Sequence, residues 1–259
     1  MNNRKTVTAA MIIIGDEILS GRTKDANLNH LANWLGDHGI QLREVRVIPD
    51  ESDVIVRTVN ELRAAFDYLF TTGGIGPTHD DITSENIARA LDRPFVQNPE
   101  AYEVLKDHYG PEGLTEARLR MAMMPEGAEL IDNPISRAPG IHVENIFVLA
   151  GIPVVMQSML MDVGKKITGG DRMINKTIHV FRGESVFADI LGQVNDVFDE
   201  VSIGSYPFYH ERAYGATFVL RSADEVALDE AIGMLKKKIT NDGYECFDGE
   251  PAFKSKPVD

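Results

Sequence analysis

Val7-Thr8-Ala9-Ala10-Met11-Ile12-Ile13-Ile14-Gly15 is the stretch whose reading decides the fold. It is apolar but for Thr8, rich in β-branched residues, and stopped by a glycine. A strand buried on both faces reads this way, and such strands belong to parallel sheets. Working outward, residues 25–38 place Leu28, Leu31, Ala32 and Leu35 at the i, i+3, i+4, i+7 spacing of an amphipathic helix, with Gly39 as its stop. Residues 40–48 alternate apolar and polar with period two, a strand. Ile55, Val59, Leu62 and Phe66 form one helical stripe over 52–66, and Tyr68–Thr72 is a third strand ending at Gly73-Gly74. This β-α-β-α-β order with short connections predicts a parallel sheet with helices on both faces and right-handed crossovers.

Further helical patterns lie at 82–91, 99–109 and 113–122, with short strands at 128–132 and 146–149 and a helix after Gly151-Ile152-Pro153. Composition shifts at Thr168-Gly169-Gly170-Asp171, which divides the chain into residues 1–169 and 170–259. The second part reads as a strand at 174–181, a helix at 184–198 and strands at 201–206 and 215–221. A helix striped by Leu228, Ile232, Leu235 and Ile239 follows. Ser222-Ala223-Asp224-Glu225 has the spacing of a capping box for that helix. This β-α-β-β-α order predicts a small α+β domain. Residues 248–259 have no periodicity and read as a loose tail.

The chain has 259 residues and a formal net charge of −14. Its sequence pI is 4.9, which excludes a general nucleic-acid binder, since those present a basic face. The single cysteine, Cys246, excludes an intrachain disulfide and a cysteine metal cluster and fits a reducing compartment. The basic start, Met1 to Lys5, followed by the run at 7–14, superficially copies a signal peptide. The run has no small-residue cleavage site and ends in Gly15-Asp16-Glu17, so it is read as a strand. No stretch approaches the ~18 apolar residues that span a bilayer. The expectation is a cytoplasmic protein with no membrane partner.

Three segments are candidates for chemistry. The first is Thr71-Thr72-Gly73-Gly74-Ile75-Gly76-Pro77-Thr78-His79-Asp80-Asp81-Ile82-Thr83, lying between a strand and a helix. Ligands of open α/β sheets bind at the carboxyl ends of strands. Gly73, Gly74 and Gly76 let backbone N–H groups approach a phosphate, and the next helix start adds unpaired donors. Paired carboxylates beside such a loop point to a divalent metal with oxygen ligands, Asp81 as the main ligand and Asp80 supporting. The plainer alternative is a tight turn with Asp81 or Thr83 as helix cap. The loop is neither a Walker A loop nor GxGxxG. The second segment, Gly15 to Asn27, mixes Asp16, Glu17 and Asp25 with Arg22 and Lys24. It is either a solvated loop capped by Asp25 or Asn27, or a second wall of the same cleft. The third combines Ser136-Arg137-Ala138-Pro139-Gly140, which reads as a turn, with Gly151-Ile152-Pro153, which reads as a strand-to-helix junction.

Together these segments resemble a known family. Thr72-Gly73-Gly74-Ile75-Gly76-Pro77-Thr78-His79-Asp80-Asp81-Ile82-Thr83 resembles the TGGxGxTxxDxT signature of MogA/MoaB-like molybdopterin-binding domains, and Ser20-Gly21 with Asp25 resembles their first loop. The Gly-Pro-Thr-x-Asp-Asp form and Gly15-Asp16-Glu17 look more like the CinA (competence/damage-inducible) branch. The resemblance covers about residues 7–165. Arg182-Gly183-Glu184-Ser185 and Ile203-Gly204-Ser205-Tyr206-Pro207 extend it to the small domain that follows in CinA proteins. Eukaryotic FAD synthases carry a similar region. Two departures stand out. The chain stops before the nicotinamide mononucleotide deamidase domain usual in full-length CinA, so that activity is expected to be absent. Ala150 stands where the family's Pro-Gly-x-Pro has its first proline.

The resemblance implies an open three-layer α-β-α sandwich with a mostly parallel sheet, plus a smaller α+β domain. It implies a metal-dependent hydrolase of a nucleotide diphosphate such as ADP-ribose or an FAD-like molecule. The alternatives are a molybdopterin adenylyltransferase, or a non-catalytic nucleotide- or pterin-binding module. In the hydrolase reading Asp81, Asp80, Asp16 and Glu17 are catalytic, with Asp81 and Asp80 holding Mg²⁺, Mn²⁺ or Co²⁺. Thr72, Gly73, Gly74, Gly76, Thr78, Thr83, Asp25, Asn27, Ala138, Pro139 and Gly140 bind the nucleotide or pterin. A homo-oligomer, dimer or trimer, is expected.

Overall fold

The computed structural model describes residues 6–210 and 213–253. The basic start before Thr6 and the last part of the expected tail, 254–259, lie outside the described residues. Contacts divide the chain into two compact units, Met1–Asp171 and Arg172–Asp259.

The first unit opens with β1 (Val7–Ile14), a short α1 (Asp16–Leu19), α2 (Asn27–Asp37), β2 (Ile40–Ile48), α3 (Ser52–Ala65) and β3 (Tyr68–Thr72). It continues through α4 (Thr83–Ala90), β4 (Phe95–Gln97), α5 (Pro99–Tyr109), α6 (Glu116–Leu119), β5 (Met123–Pro125), β6 (Glu129–Ile131), β7 (Gly140–Val143), β8 (Ile146–Leu149) and α7 (Pro153–Val163). The main sheet has the order β2-β1-β3-β8-β7-β6. β2, β1, β3 and β8 are parallel, and β7 is antiparallel to both its neighbours. Side chains of β1 alternate between two cores. Ala10, Ile12 and Ile14 pack with Ile55, Val59, Leu62, Ile87 and Leu105, whereas Ala9, Met11 and Ile13 pack with Leu31, Leu35, Met156, Met159 and Leu160. Helices therefore cover both faces, and the expected three-layer α-β-α sandwich is the observed architecture.

Three local expectations change. Gly140 is not part of a turn but the first residue of β7, where it pairs with Ile131 of β6 while the next residue, Ile141, pairs with Val148 of β8, and a Cβ on Gly140 would meet the Val148 carbonyl at 2.7 Å. Residues 113–122 do not make one helix: only Glu116–Leu119 is α-helical, followed by a 3₁₀ turn over Arg120–Ala122. Neither strand of the small antiparallel β4–β5 ribbon has a periodic run long enough to be seen from sequence.

The second unit contains β9 (Ile174–Val180), α8 (Ala188–Asn195), β10 (Ser202–His210), β11 (Ala213–Ser222), α9 (Glu225–Asn241) and β12 (Phe247–Asp248). Its sheet, β10-β11-β9-β12, is antiparallel. Ile178, Val180, Phe218 and Leu220 on one face pack against Ile190, Val194, Leu228 and Leu235. Two corrections apply. The N-cap of α9 is Asp224, whose carboxylate accepts from the Val226 and Ala227 N–H groups, while Ser222 Oγ accepts from Asp224 N. The segment expected to be a loose tail begins as an edge strand: Phe247 and Asp248 pair with β9, and Gly249 N donates to the Thr177 carbonyl.

Candidate functional site

The connection from β1 to β2 runs through α2 on one face, and that from β2 to β3 runs through α3 on the other. Strand order therefore reverses between the parallel neighbours β1 and β3, and a crevice opens there at the carboxyl edge of the sheet. The loop Gly73–Ile82 leaves β3 at this point. Gly73 (φ 99°) and Gly74 (φ 66°) take left-handed backbone that L side chains rarely adopt. A Cβ on Gly73 would strike the Ile14 carbonyl of β1, so only glycine lets the two strand ends lie this close.

The loop is braced from behind. Thr83 is fully buried; its hydroxyl donates to the Gly73 carbonyl at 2.9 Å and its N–H to the Gly74 carbonyl at 3.0 Å. Thr83 thus shapes the loop rather than facing the crevice. With these carbonyls turned inward, the N–H groups of Gly74, Ile75 and Gly76 have no hydrogen-bond partner among the described residues. Asp81 is not a helix cap. The N-cap of α4 is Ile82, and the Asp81 carboxylate turns back under Gly76 to accept from Thr78 N and Oγ1.

A cavity of about 690 Å³ lies over this loop. Gly73, Gly74, Gly76, Asp81, Glu17 and Ala138 all line it, so the three segments picked out in the sequence converge on one site. A small side pocket shares Glu17 and Gly73 with it and is lined by Thr72, Asp25 and Asn27. Two atoms there stand out. Asn27 is 3% exposed and donates through Nδ2 to the Gly151 carbonyl at 2.7 Å, yet its Oδ1 has no partner; Thr72 Oγ1, in a residue 1% exposed, has none either. Buried polar atoms left unsatisfied are uncommon and mark a place where a ligand or water completes the bonding. Asp25 instead serves α2, accepting from Leu28 N.

Asp16, Asp80, Thr78, Pro139 and Gly140 do not line the cavity. Pro139 and Gly140 are buried, and the Asp80 side chain is 67% exposed. Sequence reading missed Asp50, which follows β2 and accepts the Asp16 N–H at 3.0 Å. Burial pushes its carboxyl above the ordinary aspartate range, and the negative charges of Asp16, Glu17 and Asp80 push the same way. The signal available was its position at a strand's carboxyl end. It also missed Tyr109, Arg118, Met121 and Asn133, brought to the cavity wall by segments distant in sequence. Asn133 positions that wall by donating to the Ala138 carbonyl at 2.7 Å.

No group of three or more His, Cys, Asp or Glu side chains among the described residues is arranged to hold a metal. The donor set therefore does not fit a cage made of protein alone. It does fit a hard cation held by one or two carboxylates together with a ligand's phosphate, the usual manner for Mg²⁺.

Residues 10–169 match the family model described as probable molybdopterin binding domain, and residues 172–245 match that of the FAD synthase middle domain. The chain belongs to the molybdopterin-binding domain family, in its CinA-type form. A protein of Pyrococcus furiosus is 32% identical to this CinA-type chain over 245 residues, covering 89% of it and 96% of the relative. A CinA-like protein of Desulfosudis oleivorans is 35% identical over 185 residues, 67% of this chain and 45% of that one. The crystal structure of the protein CinA, with unknown function, from Thermoplasma acidophilum is 33% identical and superposes with a TM-score of 0.59 over 62% of this chain and 98% of that one. The first unit of the CinA-type chain thus carries the probable molybdopterin-binding domain. No helix among the described residues is long and apolar enough to cross a membrane.

Proposed function

We propose that the first unit binds a nucleotide diphosphate and hydrolyses it with a divalent cation. The observation that carries this reading is the row of unpartnered N–H groups at Gly74, Ile75 and Gly76, residues that line a 690 Å³ cavity together with Asp81. Such a row is an anion cradle. The cation supplies charge neutralisation at the phosphates and a more acidic bound water. In this scheme the loop N–H groups hold the phosphate to be attacked. Asp81 and Glu17, the two carboxylates that line the cavity, would supply oxygens for the cation, and the surplus negative charge around Asp50 favours one. Water oxygen bonds to phosphorus as the bridging P–O bond breaks, yielding two monophosphates. Asn27 Oδ1 and Thr72 Oγ1 complete their bonding with hydroxyl or amino groups of the ligand.

The test is an anaerobic screen of ADP-ribose, FAD, NAD and molybdopterin with Mg²⁺, Mn²⁺ or Co²⁺, following phosphate-ester products by chromatography. Metal-dependent release of monophosphates from ADP-ribose or FAD is expected. Tight binding of molybdopterin without turnover of any diphosphate would replace this reading by the pterin-binding one, which the family's description favours.

A further inference from the structure

Helix α5 ends at Tyr109, and the chain returns through Gly113 to α6. Three contacts fix the geometry of this return. The Arg118 guanidinium lies over the Tyr109 ring, 4.0 Å from its centroid. One of its Nη atoms donates to the Gly113 carbonyl, and Arg118 N donates to Thr115 Oγ1 at 3.3 Å. A Cβ at Gly113 would collide with the Tyr109 carbonyl, so the turn that presents the arginine needs glycine. Tyr109, Arg118 and Met121 then form the wall of the large cavity that comes from this insertion.

Arg118 has no ion-pair partner among the described residues, although the chain carries 40 acidic residues against 26 basic ones. An unneutralised guanidinium, flat, braced and already stacked on one aromatic ring, offers the cavity a planar face. Its planar π-system is weakly hydrated and stacks on another ring. The polarizable thioether of Met121, which lines the same cavity, suits the edge of such a ring.

We propose that Tyr109 and Arg118 form the shelf that recognises the planar heterocycle of the ligand whose phosphate lies on the glycine loop. The shelf makes the site selective for phosphates carrying a purine- or pterin-like ring over phosphates carrying a sugar alone. This inference rests on the phosphate-binding reading of the glycine loop and adds the specificity determinant to it. Its elements lie outside the loop motifs: the ring comes from the end of α5 and the guanidinium from α6.

Isothermal calorimetry with AMP and with ribose 5-phosphate tests it, using the intact protein and two variants. Arg118→Lys keeps the charge and loses the plane; Arg118→Met keeps the stem and loses both. Thermal midpoints check that each variant is folded. The native protein should bind AMP more tightly than ribose 5-phosphate. Both variants should lose about tenfold on AMP, the order of one base-stacking contact, with ribose 5-phosphate unchanged. Equal losses on the two probes would make Arg118 a phosphate ligand and overturn the proposal. Unchanged AMP affinity would overturn it as well. If the native protein binds neither probe, the glycine-loop reading fails first and takes the shelf with it, which separates that failure from a failure of the shelf alone.

Discussion

Gly74→Ala should strain the loop in two ways that can be separated. The position has φ 66°, and left-handed backbone costs an alanine roughly 1–2 kcal/mol. The new methyl would also fall on Thr83 Oγ1 and drive it from the Gly73 carbonyl. Losing that hydrogen bond costs about 1 kcal/mol more. The sum is about 2–3 kcal/mol, which for a unit of this size lowers the thermal midpoint by roughly 4–12 °C. Thr83→Ala alone should cost only the hydrogen bond. The double variant should cost less than the two single variants together, because both remove the same bond and the smaller residue makes room for the methyl. Scanning calorimetry of the four proteins measures this cycle. Alongside it, AMP affinity of Gly74→Ala should fall at least about tenfold, since the N–H groups of Gly74, Ile75 and Gly76 lose their common aim. Additive stabilities would refute the brace, and undiminished affinity in a well-folded Gly74→Ala would refute the anion cradle.

Asp81→Asn retains an oxygen to accept the Thr78 N–H but loses the charge, so it should keep the native thermal midpoint while metal-stimulated release of monophosphate from ADP-ribose disappears. Asp50 has a raised carboxyl, so the folded state holds its proton more tightly than the unfolded chain does. Stability should therefore fall as pH rises from the ordinary value of 3.8 through the raised one, and Asp50→Asn should remove that slope and be more stable than the native protein at neutral pH, as read by urea unfolding at a series of pH values. Asp224→Ala should destabilise the second unit by about 1 kcal/mol through loss of the α9 cap, measured by denaturant unfolding, whereas Asp224→Asn should be near neutral.

Patterns spanning a few consecutive residues carried the fold. β1, β2 and β3 were legible because strands of five to nine residues with unbroken apolar runs or strict alternation leave one reading. The glycine loop was legible because Gly73 and Gly74 followed such a strand directly, and a doubly wound sheet puts its ligand there. Tertiary structure decided what spacing cannot express. β7 hid behind Ala138-Pro139-Gly140 because its four residues gain their strand character only from the hydrogen bonds of β6 and β8 on either side. Thr83, a hydroxyl beside a phosphate loop, became a brace because burial under Gly74 gave it the Gly73 carbonyl as partner. Asp224 rather than Ser222 became the cap of α9 because β11 runs on through Ser222 before the helix begins. The cavity wall assembled from Tyr109, Arg118 and Asn133 was invisible for the same reason. Local sequence determines which element forms, by propensity and period. Which side chains meet across elements depends on packing distances that only the folded chain sets.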